Sequence, residues 1–123
     1  AAAAGIAAIA AVPLVATGIT ATQLGLGVAV EAVASVLMAA GGALAAALHL
    51  RLAADAAAPA AARLLWAAGG VSLVLGMALA ALYGLRFVHP WRLDLGWMQV
   101  SHGPLNAIGF GLATLLGWRA ALR

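Results

Sequence analysis

The sequence has no cysteine and no lysine, and it has few charged residues of either sign. Only 7% of its 123 residues are charged, with three acidic residues against six arginines. Soluble domains carry about 25% charged residues, so these few charges cannot cover a surface that faces water. The absence of cysteine excludes disulfides, thiolate metal sites and thiol nucleophiles.

Apolar residues take the place of the missing charges and make up 67% of the chain. Lipid is therefore the expected surrounding of most of the chain, and a bilayer is its expected partner. All basic residues are arginine and alanine is abundant, a composition typical of GC-rich bacteria, so we expect a bacterial plasma membrane. No basic cluster with interleaved aromatic residues accompanies the net charge of +3, which argues against a nucleic-acid partner.

Four apolar runs are long enough to cross a bilayer, which takes about 20 helical residues. They predict one all-α domain, an integral membrane bundle of four transmembrane helices. The predicted spans are about 3–22, 27–50, 64–86 and 96–118. Four arginines fall on the side of the second loop and the C-terminus, and two fall on the other side. Since cytoplasmic loops are enriched in arginine, this weakly favours an N-in, C-in orientation.

Small residues recur at every fourth position in two of the predicted spans. Such stripes let helix backbones approach closely where lipid removes the hydrophobic driving force between helices. The predicted packing residues are Ser72, Gly76, Ala80, Gly84, Gly103, Ala107 and Gly111. A second set in the fourth span consists of Gly109, Ala113 and Gly117.

The segment QVSHGPLNAIGF, residues 99–110, brings polar side chains into the fourth span. At 100° per residue, Gln99, His102 and Asn106 share one helix face, which must point into the protein because polar groups in lipid go unsatisfied. Pro104 cannot donate a hydrogen bond to the carbonyl of Val100, so we predict that the helix kinks or breaks there.

The predicted topology brings two further polar residues, Glu31 and Tyr83, to the same half of the membrane. Together with Gln99, His102 and Asn106 they form a predicted pocket for a ligand or a proton, with Glu31 as the charge partner of His102. Interhelical hydrogen bonds that only fix the packing are the alternative interpretation. The three histidines lack metal-ligand spacing and the serines lack a triad, so no metal, cofactor or catalytic residue is predicted.

Three segments resemble the C-terminal half of YndJ-like bacterial membrane proteins: VPLVATGIT, RLLWAAGGVSLVLGMALAALYGL and MQVSHGPLNAIGFGLATLLGW. The family's Met…His-Gly-x-x-Asn-Ala-x-Gly-Phe signature is matched by Met98, His102, Gly103, Asn106, Ala107, Gly109 and Phe110. Members are longer, with upstream spans that include a histidine-rich aromatic segment, and are sometimes labelled transporters. The resemblance implies that this chain is the C-terminal part of a longer one and packs against other transmembrane helices.

Three functions are compatible with these features, and an enzyme is the least favoured of them. The leading hypothesis is transporter-like handling of a small solute or proton through the polar pocket. The second is a non-catalytic membrane subunit that packs into a larger complex or a homo-oligomer. The third is a membrane enzyme acting on a lipid or isoprenoid, with Glu31 and His102 as acid and base.

Overall fold

The computed structural model describes the backbone of residues 2–88 and 93–123, and the side chains of residues 13–88 and 93–123. Helices α1 (Ala2–Gln23), α2 (Ala29–Ala54) and α3 (Ala60–Gly84) come first. The C-terminal helix follows in three continuous segments: α4 (Leu95–Pro104), a π-helical segment (Leu105–Leu112) and α5 (Ala113–Ala121). The all-α prediction is confirmed, since the described part of the chain contains no strand.

Two of these helices, α2 and α3, are long and apolar enough to cross a membrane. They have 26 and 25 residues, which at 1.5 Å per residue makes each roughly 38 Å long. The C-terminal helix changes from α-helical to π-helical hydrogen bonding after Pro104 and back again after Leu112. Its three segments therefore have 10, 8 and 9 residues. Pro104 is also where the sequence predicted a kink or a break.

The connections between helices are short and are held by local hydrogen bonds. Gly25 and Gly27 turn the chain between α1 and α2 with φ angles of 72° and 105°, which is the left-handed region that favours glycine. Arg63 Nε donates to the carbonyl of Ala53 across the turn between α2 and α3, at 2.9 Å. Asp94 caps α4 by accepting a hydrogen bond from the Trp97 amide at 2.8 Å.

The helices lie in an open array with α2 and α3 in the middle. Helix α1 packs against α2 and the C-terminal helix packs against α3, and no close backbone contact joins these two outer helices within the described residues. The rings of His49 and Phe110 meet edge to face at 5.1 Å and so connect α2 to the C-terminal helix. An open space therefore remains between the two outer helices at one end of the array.

Close helix crossings occur where glycine removes a side chain. A Cβ atom on Gly18 would lie 2.5 Å from the Cα and 2.7 Å from the backbone nitrogen of Glu31, so α1 touches the backbone of α2 directly. Gly84 of α3 likewise leaves room for Ser35 of α2. Such approaches are typical of helices that associate in lipid.

The predicted small-residue stripe of α3 divides its contacts between two neighbours. Gly76 packs against Asn106 and Ser72 against Gly109 in the C-terminal helix, whereas Gly84 packs against α2. Positions four residues apart advance by about 40° in a helix with 3.6 residues per turn. The stripe therefore turns from the C-terminal helix towards α2 along the length of α3. Ala80, which lies between Gly76 and Gly84 in the stripe, lines the cavity described below.

The stripe predicted in the C-terminal helix needs correction. Gly103 and Ala107 are exposed, and a Cβ atom on Gly103 would meet nothing within 4 Å. The contacts with α3 come instead from the second set, through Gly109 and the buried Gly117. The π-helical segment closes its hydrogen bonds at i→i+5, so residues four apart in it no longer stack as α-helical periodicity predicts.

Large aliphatic side chains cover much of the outside of the array, whereas most of the buried residues are glycine or alanine, with Trp66 and Leu73 as the large apolar exceptions. Val33, Leu64 and Leu115 are 60%, 73% and 69% exposed. Buried residues of α2 include Glu31, Ser35 and Gly42. The exposed surface of α2 and α3 is largely aliphatic, which agrees with the length and hydropathy that would let these two helices cross a membrane.

Gly18→Ala tests the closest crossing. The new methyl group meets backbone atoms of Glu31 that cannot move independently, so we expect the unfolding free energy to fall by about 1–3 kcal/mol. Gly103→Ala is the matched control because it places the same methyl group in open space. Thermal unfolding in detergent measures both, and equal melting temperatures for the two variants would contradict this crossing.

Candidate ligand-binding pocket

A buried ion pair lies at one end of the array, between the first turn of α2 and the residues that follow α3. The side chain of Glu31 is 1% exposed, and both of its carboxylate oxygens accept hydrogen bonds from Arg86. Nη1 of Arg86 donates to Oε1, and Nη2 donates to Oε2 at 3.3 Å. An arginine stays charged in proteins and its planar fork suits bidentate pairing with a carboxylate. The buried negative charge is thereby compensated.

Arg86 is held in place by contacts besides the carboxylate. Its Nη1 also donates to the backbone carbonyl of Tyr83 at 2.8 Å. The guanidinium carbon lies 4.0 Å from the ring centroid of Tyr83 and 4.2 Å from that of Phe87. Cation–π contacts of this kind favour a fixed guanidinium, so the ion pair and the two rings form one unit.

The structure corrects the predicted partner of Glu31, which is Arg86 and not His102. Arg86 follows the end of α3 at the same end of the array where α2 begins, so its long side chain reaches the first turn of α2. From the sequence, Arg86 counted only as one of the two arginines on its side of the membrane. The signal available in the sequence was an acidic residue that starts one span and a basic residue that ends an adjacent one.

His102 binds α3 and its own helix. Its Nδ1 lies 2.8 Å from the carbonyl oxygen of Gly76, which can only accept, so Nδ1 carries the proton. Nδ2 of Asn106 lies 3.0 Å from Nε2 of His102 and donates to the His102 carbonyl at 2.9 Å. The imidazole is thus fixed in one tautomer between α3 and Asn106.

The π-helical segment positions Asn106 for these contacts. Since Pro104 has no N–H, the helical ladder changes at this point, and the amide of Leu105 donates to the carbonyls of Ser101 and His102. A Cβ atom on Gly76 would lie 3.1 Å from Nδ2 of Asn106. Only glycine at position 76 lets the carboxamide lie this close to α3, and π-helical segments occur frequently at functional sites.

A cavity of about 440 Å³ lies beside the ion pair and His102. It is lined by residues of all four helices: Val15, Ile19, Glu31, Ser35, Met38, Ala80, Tyr83, Leu95, Met98, Gln99, His102 and Gly103. Its volume falls within the range of small-molecule pockets, roughly 300–1,000 Å³. Because it includes residues of both α1 and α4, it occupies the space between the two outer helices.

The structure brings four of the five predicted pocket residues to this cavity, namely Glu31, Tyr83, Gln99 and His102. Asn106 lies behind His102 and contributes through its hydrogen bonds. Sequence reasoning missed Ser35 and Met38, which also line the cavity. The spacing i, i+4, i+7 from Glu31 places both on the same face of α2, and this is the signal that could have found them.

The described residues contain no group of three or more histidine, aspartate or glutamate side chains that could hold a metal ion. Comparison with protein-family models, with curated proteins and with solved structures found no match. The functional argument therefore depends on the cavity and its surroundings.

Arg86→Gln tests the ion pair. The substitution leaves the Glu31 carboxylate buried without a charge partner, and breaking a buried pair in this way costs about 3–5 kcal/mol. The double variant Glu31→Gln/Arg86→Gln, which has no unpaired charge, should regain a large part of that loss. Thermal unfolding in detergent measures the effect, with Arg119→Gln in α5 as the control. A melting temperature of Arg86→Gln equal to that of the control would show that the pair does not form.

Proposed function

We propose that this chain is an integral membrane protein with four spans that binds a small solute in the cavity between its outer helices, a transporter-like role. The observation that carries the proposal is the cavity itself, which brings polar side chains together, among them the buried Glu31 and Ser35, inside an array whose exposed residues are largely aliphatic. Concave apolar sites with a few convergent polar groups are the usual form of a small-molecule site.

The distribution of side chains supports the membrane setting. Helices α2 and α3 have the length and hydropathy of spans, and their outward residues include Val36 at 47% and Val71 at 51% exposure. Lipid satisfies such a surface, while the polar residues turn inward, as expected for ionisable groups within a membrane. We extend the same assignment to α1 and the C-terminal helix, which complete the array, with the N-in, C-in orientation that the arginines favour.

The contacts of Glu31 and His102 favour a solute over a proton as the species that the site binds. Both carboxylate oxygens of Glu31 are bound to Arg86, and both ring nitrogens of His102 contact Gly76 or Asn106. Neither group is therefore free to pass a proton along the cavity. For the same reason Glu31 and His102 do not form the acid–base pair that a membrane enzyme would need. The transporter label attached to YndJ-like proteins agrees with a solute-binding role.

A subunit role in a larger complex is the second candidate function. Gly103 and Ala107 are exposed on the C-terminal helix, and a Cβ atom on Gly103 would meet open space. An additional helix, either from an upstream part of a longer YndJ-like chain or from a partner, could approach closely along this face. Copurification of a second membrane protein that Ala107→Leu releases would favour this role, because Ala107 is exposed and does not line the cavity.

Cysteine accessibility in lipid nanodiscs tests the proposed function. The chain has no native cysteine, so each introduced thiol is the sole target of N-ethylmaleimide. Met38→Cys lines the cavity, whereas Val36→Cys lies at nearly the same depth on the exposed face of α2. Maleimides react with the thiolate, which an apolar surrounding disfavours. We expect Met38→Cys to react at least about tenfold faster.

Two outcomes would contradict the proposal. Rapid reaction of Val36→Cys would show that the aliphatic face is in water and not in lipid. Equally slow reaction of both thiols, in variants that keep the melting temperature of the parent protein, would show that the cavity is closed to water and small molecules.

A further inference from the structure

We infer that the cavity binds an uncharged amphiphile, a molecule with one neutral hydrogen-bonding head and an apolar tail, of the kind found in prenols and quinones. This inference rests on the proposed function and names the class of molecule that the same site takes. Three features support it: the pairing of the charged groups at the site, the neutral polar side chains that have no hydrogen-bond partner among the described residues, and the opening between two helices.

Among the described residues, the charged groups at the cavity are already paired with each other. Glu31 and Arg86 satisfy each other, and Arg86 is further engaged by the Tyr83 carbonyl and by two aromatic rings. A phosphate or carboxylate head would have to displace Glu31 from Arg86 and leave that carboxylate unpaired and buried. A buried charge without a partner is strongly unfavourable, so the site disfavours an ionic head.

Three neutral polar groups at the cavity have no hydrogen-bond partner among the described residues: the hydroxyl of Ser35, the hydroxyl of Tyr83 and the carboxamide of Gln99. Ser35 is only 7% exposed, so its hydroxyl has little access to bulk water. Tyr83 is half-buried and Gln99 is exposed, so the rule that buried polar groups are hydrogen-bonded bears on Ser35 alone. These three groups together offer donors and acceptors, which suits a hydroxyl or carbonyl head.

The remainder of the cavity is apolar and adaptable. Val15 and Ile19 of α1 face Leu95 and Met98 of α4 across it, and Met38 adds a second flexible thioether. Methionine fits chains of varied shape because it is unbranched and polarisable. A hydrocarbon tail that lies against these side chains stays in apolar surroundings, as it does in the hydrocarbon layer of a membrane.

The opening gives the tail a route into the membrane. Helix α1 and the C-terminal helix line the cavity together but make no close backbone contact with each other. A tail that leaves between them enters the hydrocarbon layer directly, while the head stays near Ser35 and Tyr83. This route fits a ligand that enters from the bilayer.

The test is a protection experiment with the Met38→Cys protein in nanodiscs. The probes are farnesol, farnesyl phosphate and decylubiquinone, of which the first two share a tail and differ in the charge of the head. We expect farnesol or decylubiquinone to slow the reaction with N-ethylmaleimide at concentrations at least about tenfold below those needed of farnesyl phosphate. Protection by farnesol alone indicates a hydroxyl head, and stronger protection by decylubiquinone indicates a carbonyl head.

Two substitutions show whether protection arises at this site. In the Met38→Cys background, Ser35→Ala and Tyr83→Phe each remove one unpartnered hydroxyl, and Tyr83→Phe keeps the ring beneath Arg86. One neutral hydrogen bond corresponds to a loss of affinity of roughly 3–10-fold. Ser101→Ala is the control, because the Ser101 hydroxyl donates to the Trp97 carbonyl and does not line the cavity.

The outcomes separate this inference from the proposed function. Stronger protection by farnesyl phosphate would contradict the inference that the ligand is uncharged. No protection by any probe, while Met38→Cys stays reactive, would contradict it as well. Neither result would contradict the proposal that the cavity binds a small solute. Protection that Ser35→Ala and Tyr83→Phe leave unchanged would show partition into the lipid only and would also overturn the inference. An unreactive Met38→Cys would instead contradict the proposed function.

Discussion

The buried pair of Glu31 and Arg86 is the constraint on which the rest of this end of the molecule depends. A carboxylate that is 1% exposed requires a charge partner, and this one is supplied from just beyond α3. The pair therefore fixes where α3 ends relative to the start of α2. Gly18 then brings α1 against the backbone of Glu31 itself, so three helices meet at one residue.

The cavity follows from the way the helices pair. Small residues hold α1 to α2, α2 to α3 and α3 to the C-terminal helix, whereas no close backbone contact joins the first helix to the last within the described residues. In the membrane setting that we propose, lipid covers the outside of the array and a ligand occupies this space. Some polar groups around the space form hydrogen bonds with each other, as His102 and Asn106 do. Others, such as the Ser35 hydroxyl, have no hydrogen-bond partner among the described residues.

The sequence predicted the main elements well because their signals are local. The runs 27–50 and 64–86 correspond to α2 and α3, and the shared face of Gln99 and His102 does line the cavity. Long-range pairing was harder to predict, because nothing in the sequence distinguishes Arg86 from the other arginines that were counted for orientation. The stripe through Gly103 and Ala107 failed because helical periodicity was assumed through Pro104, where the winding changes. Whether all four helices cross a membrane stays a prediction.

A distance between Glu31 and Arg86 in lipid tests the central claim most directly. Glu31 is the sole glutamate of the sequence, so labelling with glutamate enriched in ¹³C at Cδ marks a single site, and ¹⁵N-arginine supplies the guanidinium nitrogens. Solid-state NMR dephasing between the two labels should show the strong dipolar coupling of a contact pair and should vanish in Arg86→Gln. A Glu31 signal without dephasing, in protein that is folded in the bilayer, would contradict the ion pair and the pocket built beside it.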